Sequence, residues 1–329
     1  MDVLSDMLST VRLKSTVFTQ TQLTAPWGIR ADGRDHFAFH VITRGRGVLD
    51  VDGLPPVEVA AGDVVVVAPG KTHSLRDRRE SPARDLMELL SSGAFDRRTG
   101  IAPAGEAGLT THLICGCFRF EDMRHNVLMS ALPTMIHTRE MSSDVGPWLA
   151  QTIKLLAYES LAERPGMATV VDRLCDAMFV YILRSHLVAV PAQDPNWLRA
   201  LVEPQIGSAL RFMHEDPSAD WTVAALATRV AMSRSAFAAR FTQFVGESPM
   251  QYLTRWRLQK AAALLRTGDV DIADVAARVG YESPAAFSKA FKRTIGVAPG
   301  AYRRGGSQLS PAQLPAPSRN LQPAFRGSV

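Results

Sequence analysis

Hydrophobic positions follow two different rhythms along the chain. Between residues 28 and 118 they alternate with polar ones in short runs: Phe37-Ala-Phe-His-Val-Ile42, Gly47-Val-Leu-Asp-Val51, Val57-Glu-Val59, Asp63-Val-Val-Val-Val-Ala68 and the segment from Thr110 to Phe118. These runs are rich in β-branched residues and separated by turns such as Asp52-Gly53 and Ala61-Gly62-Asp63, the pattern of a small antiparallel barrel or jelly roll. From residue 143 onward apolar side chains recur every three or four positions, which predicts helices over 143–161 and 167–187. In the second, Val170, Val171, Leu174, Met178, Ile182 and Leu183 form one face, suited to packing on the barrel or to pairing between subunits. A helix is also predicted over 3–13. Residues 80–108, polar with scattered Gly and Pro, read as a long loop over the barrel mouth. Residues 191–200, with Pro191 and Pro195, read as a linker, and 306–329, rich in Ser, Pro, Gln and Ala, as a disordered tail.

The segment 221–302 contains one unit written twice. Laid over itself at an offset of fifty, 225–252 matches 275–302 without a gap: Ala227 falls on Ala277, Ser233 on Ser283, Phe237 on Phe287, Phe241 on Phe291, Gly246 on Gly296, Pro249 on Pro299 and Tyr252 on Tyr302. Each copy reads as helix, tight turn, helix. In the first, Val223, Leu226, Ala227 and Val230 share a face, Ser233 caps the next helix, Phe237, Phe241 and Phe244 form its buried stripe, and Gly246 ends it. In the second, Gly280 lies in the turn, Ser283 caps, Pro284 takes the first helical position, Phe287, Phe291 and Ile295 face inward, and Gly296 closes. Between the copies, 249–267 reads as one long helix with Tyr252, Leu253, Trp256, Leu258, Ala261, Leu264 and Leu265 inward. Upstream, 205–215 buries Ile206, Ala209, Leu210 and Met213.

Trp256-Arg-Leu-Gln-Lys-Ala-Ala-Ala-Leu-Leu265, Val275-Ala-Ala-Arg-Val-Gly-Tyr281 and the run from Phe287 to Arg303 resemble the signature of the AraC/XylS family of bacterial transcription regulators. The resemblance implies two helix-turn-helix motifs reading promoter DNA in the major groove, together with contact to RNA polymerase. With the phenylalanines buried, the outward positions of the first recognition helix are Arg234, Ser235, Ala238, Ala239 and Gln243, with Arg240 at the flank and Ser233 at the cap. Those of the second are Ala285, Ser288, Lys289, Lys292 and Arg293, with Ser283 at the cap. Arg234 suits guanine and Gln243 adenine, whereas Lys292, Arg293, Arg303 and Arg304 suit phosphate, which supplies affinity without sequence information.

Charge supports this only once it is divided. The net +5 comes from residues 201–305, with 14 Lys/Arg against 9 Asp/Glu, and from two arginines in the tail; residues 1–200 carry 21 basic against 23 acidic side chains. The basic excess therefore sits on the repeat-bearing segment, where phosphates would be met. Three cysteines, Cys115, Cys117 and Cys175, are too few for a disulfide framework. With no long apolar run and no basic-then-apolar start, the expected location is cytoplasmic, away from any membrane.

The segment from Gly62 to His73 resembles the second motif of the cupin family, with Ala68 where a Pro usually stands. The first cupin motif keeps only His40: Ala38 stands at its histidine partner and Arg44 and Gly45 near its glutamate. The resemblance implies a cupin fold without the standard metal site. His36 and His40, four apart on a strand, face the same side and converge with His73 as a candidate effector pocket; three imidazoles would suit zinc, iron or copper, but the carboxylate ligand is missing, so no metal and no cofactor is expected. Cys115 and Cys117 share a strand face, either as a redox pair or as small buried side chains.

The expected architecture is an α+β multidomain chain. A cupin-like effector-sensing and dimerisation domain occupies 1–190, its antiparallel barrel at about 20–125 and its helices at about 143–187. After the linker comes an all-α DNA-binding domain at 201–305, with helix-turn-helix motifs at 222–245 and 272–295 joined by the long helix 249–267. The expected function is a one-component regulator that works as a homodimer on double-stranded promoter DNA under a small-molecule or redox effector. The alternative is a cupin-type metal-dependent enzyme with a DNA-binding appendage.

Overall fold

The structure is a computed structural model. It describes residues 2–10, 13–91, 101–102, 108–120, 128–129, 132–139, 146–161, 164–189, 196–268 and 270–305; the tail at 306–329 and the first half of the linker, 191–195, lie outside them. The chain divides into two compact units, Met1–Trp256 and Arg257–Val329.

In the first unit, α1 (Val3–Thr10) precedes eleven strands: β1 (Leu13–Thr24), β2 (Gly28–Ala31), β3 (Phe37–Arg44), β4 (Arg46–Val51), β5 (Val57–Ala60), β6 (Val64–Val67), β7 (His73–Arg76), β8 (Arg84–Asp85), β9 (Ile101–Ala102), β10 (Thr110–Phe120) and β11 (Met135–Thr138). They form a six-stranded sheet, β11-β6-β3-β10-β1-β9, and a five-stranded one, β5-β4-β7-β2-β8. Pairing is antiparallel except where the short β8 and β9 join β2 and β1 in parallel. The alternation seen in the sequence follows from this arrangement: Ile42, Leu49, Leu75, Leu113 and Cys115 fill the barrel interior, while Phe37, Phe39, Val41, Phe118 and Phe120 point outward to the helices. The four valines of β6 break the alternation because both faces of that strand are covered, with Val65 and Val67 inside and Val64 and Val66 against the helix layer.

The loop expected over 80–108 contains a helix, α2 (Leu86–Ser91). Asp85 caps it, its Oδ1 accepting from the amides of Met87 and Glu88 at 2.8 and 3.0 Å, and Leu86 and Leu89 turn into the barrel core. The apolar run Leu86-Met-Glu-Leu-Leu90 is too short to show a helical period within its polar surroundings. After the barrel come α3 (Gly146–Leu161) and α4 (Met167–Ala189). Phe179 of α4 packs 5.0 Å from the Phe118 ring and 5.1 Å from Phe120. Val170, expected on the inward face of α4, is instead 44% exposed, and the helix turns Cys175 and Phe179 inward.

The remaining helices are α5 (Trp197–Ala200), α6 (Pro204–Glu215), α7 (Val223–Arg229), α8 (Arg234–Val245) and α9 (Pro249–Thr267), which runs across the boundary between the units, then α10 (Ile272–Arg278), α11 (Pro284–Ile295) and α12 (Pro299–Gly305). In the first unit, Leu226, Ala227, Phe237, Phe241, Tyr252 and Trp256 pack with Ile206, Ala209, Leu210 and Met213. The second has its own core of Leu258, Ala261, Leu265, Val275, Ala276, Phe287, Phe291 and Ile295. Among the described residues no helix is long and apolar enough to cross a membrane.

Candidate nucleic-acid interface

Each copy of the repeat folds as helix, turn, helix, but the two are not related by a constant offset. The second helices correspond at fifty: Ser233 and Ser283 both cap, accepting from Ala236 and Ala286 amides at 3.2 and 3.3 Å, and Gly246 and Gly296 both close in the left-handed conformation, at φ of 82° and 90°. The first helices correspond at forty-nine. α7 runs from cap Thr222 and α10 from cap Asp271; Leu226 and Ala227 match Val275 and Ala276 in the core; Met232 and Tyr281 donate the same turn bond, to the carbonyls of Ala227 and Ala276. Ala227 therefore corresponds to Ala276 rather than Ala277, and the second turn carries one extra residue before its cap. Alanine-rich first helices look alike in either register.

At the turn itself Gly280 has φ 80°, and its counterpart Ala231 is held at φ 54°. A left-handed alanine costs about 1 kcal/mol relative to glycine. Ala231→Gly is expected to stabilise the first unit by about 0.5–1 kcal/mol in urea unfolding; an unchanged or lowered midpoint would contradict this.

The second helices of the two motifs, α8 and α11, bury Phe237 and Phe241, and Phe287 and Phe291, which leaves the opposite faces exposed. Arg234, Ser235, Ala239 and Gln243 are exposed on α8, and Ala285, Lys289, Lys292 and Arg293 on α11. The equivalent Ala238 and Ser288 are only half-exposed. Phe244, expected in the buried stripe, is also half-exposed, and Val245 takes its place, since residues 237, 241 and 245, four apart, share one helical face. Arg240 is engaged within the protein: its Nη2 lies 2.8 Å from Oε1 of Glu203, whose side chain is 8% exposed and whose other oxygen caps α6 at the Ile206 amide. Arg240 thus braces the recognition helix against α6. Of the cations at the chain's end, Arg303 donates to the Val270 carbonyl at 3.4 Å.

In the barrel, the structure brings together His40 and His73, two of the three histidines expected to converge, with Cys115, which the sequence paired instead with Cys117. His40 Nε2 lies 2.8 Å from His73 Nε2, and His40 Nδ1 lies 3.1 Å from Cys115 Sγ. His73 Nδ1 lies 3.3 Å from the Lys71 carbonyl, which can only accept, so that nitrogen carries the proton. With neutral rings, His73 Nε2 then accepts from His40, and His40 Nδ1 accepts from the Cys115 thiol. Burial enforces neutrality. Desolvation, then the neighbouring His73, pushes His40 down to about 3; desolvation also lowers His73, against the opposing bond to Lys71 and the charge of Asp52; and desolvation pushes Cys115 up to about 12. His36 is buried as well and lowered to about 4, by desolvation and then the charge of Arg119, and it faces Asp35 at 3.9 Å. Cys117 is raised to about 11 by burial. The donors fit a metal poorly: His40 turns Nε2 to His73 and Nδ1 to Cys115 rather than one nitrogen to a point shared with both, and among the described residues no group of three His, Cys, Asp or Glu could hold one.

Residues 2–188 match the family model described as Cupin, and residues 226–305 the one described as Helix-turn-helix domain. A "Putative AraC-like transcription regulator" of Streptomyces lividans is 35% identical over 308 residues, covering 92% of this chain and 98% of that protein. The chain belongs to the AraC-like family of transcription regulators. The "HTH-type transcriptional regulator AlkR" of Acinetobacter baylyi is 31% identical over 308 residues, 92% of this chain and 99% of its own. The DNA-binding domain of AdpA, solved in complex with a target DNA, is 35% identical over 31% of this chain and 92% of its own, with a TM-score of 0.30.

This AraC-like chain is thus a DNA-binding transcription regulator with a cupin-type N-terminal domain. Two contacts beside the first helix-turn-helix carry no sequence motif. Glu203 is one. The other is Arg229, held 5.2 Å from the rings of both Phe212 and Trp221, which themselves stack at 6.2 Å. Such a sandwich fixes a guanidinium that would otherwise sample many rotamers.

Proposed function

We propose that this regulator reads its site through Arg234, Ser235 and Gln243 of α8 and anchors it through Lys289, Lys292 and Arg293 of α11, with Ser233, Ala239, Ser283, Ala285 and Ser288 completing the two surfaces. The observation that carries this reading is that both recognition helices are capped, packed by paired phenylalanines and basic on the outward face. Arg234, in the first turn of α8, has the fork that pairs with guanine, whereas α11 offers lysines, which bind phosphate as point charges. Base discrimination is then concentrated in the first motif and affinity in the second. The test is the bound-site preference of two variants, using a DNA site selected from a random pool by the wild type. Arg234→Ala is expected to lose about 1–3 kcal/mol of discrimination at one base pair, and Lys292→Ala to weaken all sequences alike and lower the salt slope by about one. Uniform weakening by Arg234→Ala would overturn the assignment.

The barrel is the sensor in this reading, and its ligand is a small molecule bound reversibly. Thiols raised by burial are poor targets for oxidants, since the thiolate is the reactive form, which argues against Cys115 and Cys117 as a redox pair. A histidine pair already hydrogen-bonded within the fold argues against metal chemistry at His40 and His73, and so against the metal-dependent enzyme. The outer face of α3 exposes Trp148 at 64%, Leu155 at 55% and Tyr158 at 58%, an apolar stripe that a second copy would cover in a homodimer. RNA polymerase is the remaining partner.

A further inference from the structure

Helix α1 opens the chain, yet its buried face lies in the core that supports the first helix-turn-helix. Val3 and Met7 belong to the same apolar cluster as Ile206, Leu210, Met213, Tyr252 and Trp256. Between them Asp6, 3% exposed, places Oδ2 3.0 Å from Nδ1 of His214, a residue 208 positions away. The other ring nitrogen of His214 lies 2.8 Å from the hydroxyl of Tyr252, and the ring stacks on Trp256 at a centroid distance of 4.0 Å. Asp6, His214 and Tyr252 thus form a buried polar chain across α1, the end of α6 and the start of α9.

We infer that α1 is a strap from the barrel that locks the first helix-turn-helix into its DNA-binding arrangement, with Asp6–His214–Tyr252 as the lock; this rests on the reading of α8 as a recognition helix. The connectivity supports a transmitting role. α1 leads directly into β1, which pairs with β10 so that Thr19 lies opposite Cys115, and β10 pairs with β3 so that Cys115 lies opposite His40. The barrel-lining strand and the strap are thus two neighbouring links of one chain. On the other side, α6 is a rigid lever of about 18 Å. His214 near its C-terminus is held by Asp6, and Glu203 at its N-cap holds Arg240 of the recognition helix. A shift of α1 therefore reaches α8 through one helix with a polar contact at each end. Withdrawing α1 would leave a buried carboxylate and a buried imidazole without each other, which is costly; in this proposal the seated and withdrawn strap are the two states that coupling requires.

The test uses the full chain, as wild type, Asp6→Asn and Tyr252→Phe. Two quantities are read: amide hydrogen exchange by mass spectrometry, and affinity for a DNA site selected from a random pool by the wild type. Asp6→Asn is expected to raise exchange at least tenfold over 204–215 and 249–256, to leave β7 and β10 unchanged, and to weaken site binding about tenfold. Tyr252→Phe, which removes one hydroxyl and keeps the ring, is expected to act on the same peptides with the same sign and a smaller size; it decides the matter should Asp6→Asn not fold. Exchange altered only within 3–10, with affinity within twofold of wild type, would make α1 a packed terminus and overturn the proposal. So would a uniform rise across the barrel strands. A wild type that selects no site would instead overturn the reading of α8, and the exchange pattern would still judge the lock.

Discussion

Phe291→Ala is expected to unfold the second helix-turn-helix and abolish specific DNA binding. Phe291 is fully buried, with its ring 5.5 Å from Phe287 and 5.5 Å from Tyr302, and it sits in the core that joins α9, α10, α11 and α12. Truncating such a ring removes its burial and leaves a cavity, at a cost of about 3–5 kcal/mol. A small unit has little stability to spare against that loss. Lys289, Lys292 and Arg293 are carried on the opposite face of the same helix, so the phosphate anchors go with the core. The check is urea unfolding followed by circular dichroism, alongside DNA affinity. A cost below about 1 kcal/mol would mean that Tyr302 and Phe287 collapse into the space. The matching substitution Phe241→Ala, in the core that includes Phe237 and Tyr252, is expected to do the same to the first motif.

The second large effect is acid destabilisation of the barrel well above the carboxylate range. His36, His40 and His73 are all buried with their affinity for protons lowered, His36 to about 4 and His40 to about 3. The unfolded chain, with ordinary histidines near 6.5, takes up protons first as pH falls. Stability contributed by the neutral rings is therefore complete above pH 6.5 and is lost as pH drops from there toward the folded values. Each histidine contributes up to about 1.4 kcal/mol per pH unit in that window, so the three together are expected to lose about 3 kcal/mol between pH 7 and 5.5. Chemical denaturation at the two pH values reads this directly. His40→Gln should shallow the fall, since it removes one of the titrating rings and keeps a side chain able to face Cys115. A midpoint unchanged between pH 7 and 5.5 would contradict the neutral, hydrogen-bonded arrangement.

What could be read in the sequence was whatever repeats at short range. Strand alternation and the paired phenylalanines, caps and glycines of the recognition helices depend on neighbours two to four residues apart, so the pattern records them. The extra residue in the second turn escaped because both first helices are runs of small residues, in which Ala227 matches Ala276 or Ala277 equally well. The contacts that organise the molecule beyond its motifs are long-range. Cys115 meets His40 across 75 positions and Asp6 meets His214 across 208, and no spacing rule encodes either. Even so, His214 left a trace: it follows Leu210 by four on the inward face of α6, a polar side chain where an apolar one is expected. Arg240 illustrates the opposite case. Its type and position suit a phosphate contact, and only the fold reveals Glu203 beside it.

On this reading the chain binds double-stranded DNA with sequence selectivity through the outward faces of α8 and α11. Its most direct test is equilibrium binding of the full chain to a selected site and to a scrambled duplex over a range of salt concentrations. Selective binding predicts at least a thousandfold preference for the site and a steep loss of affinity with salt for both duplexes, as counterions are released from contacted phosphates. Equal affinity for the two duplexes, or no binding to either at low salt, would contradict it.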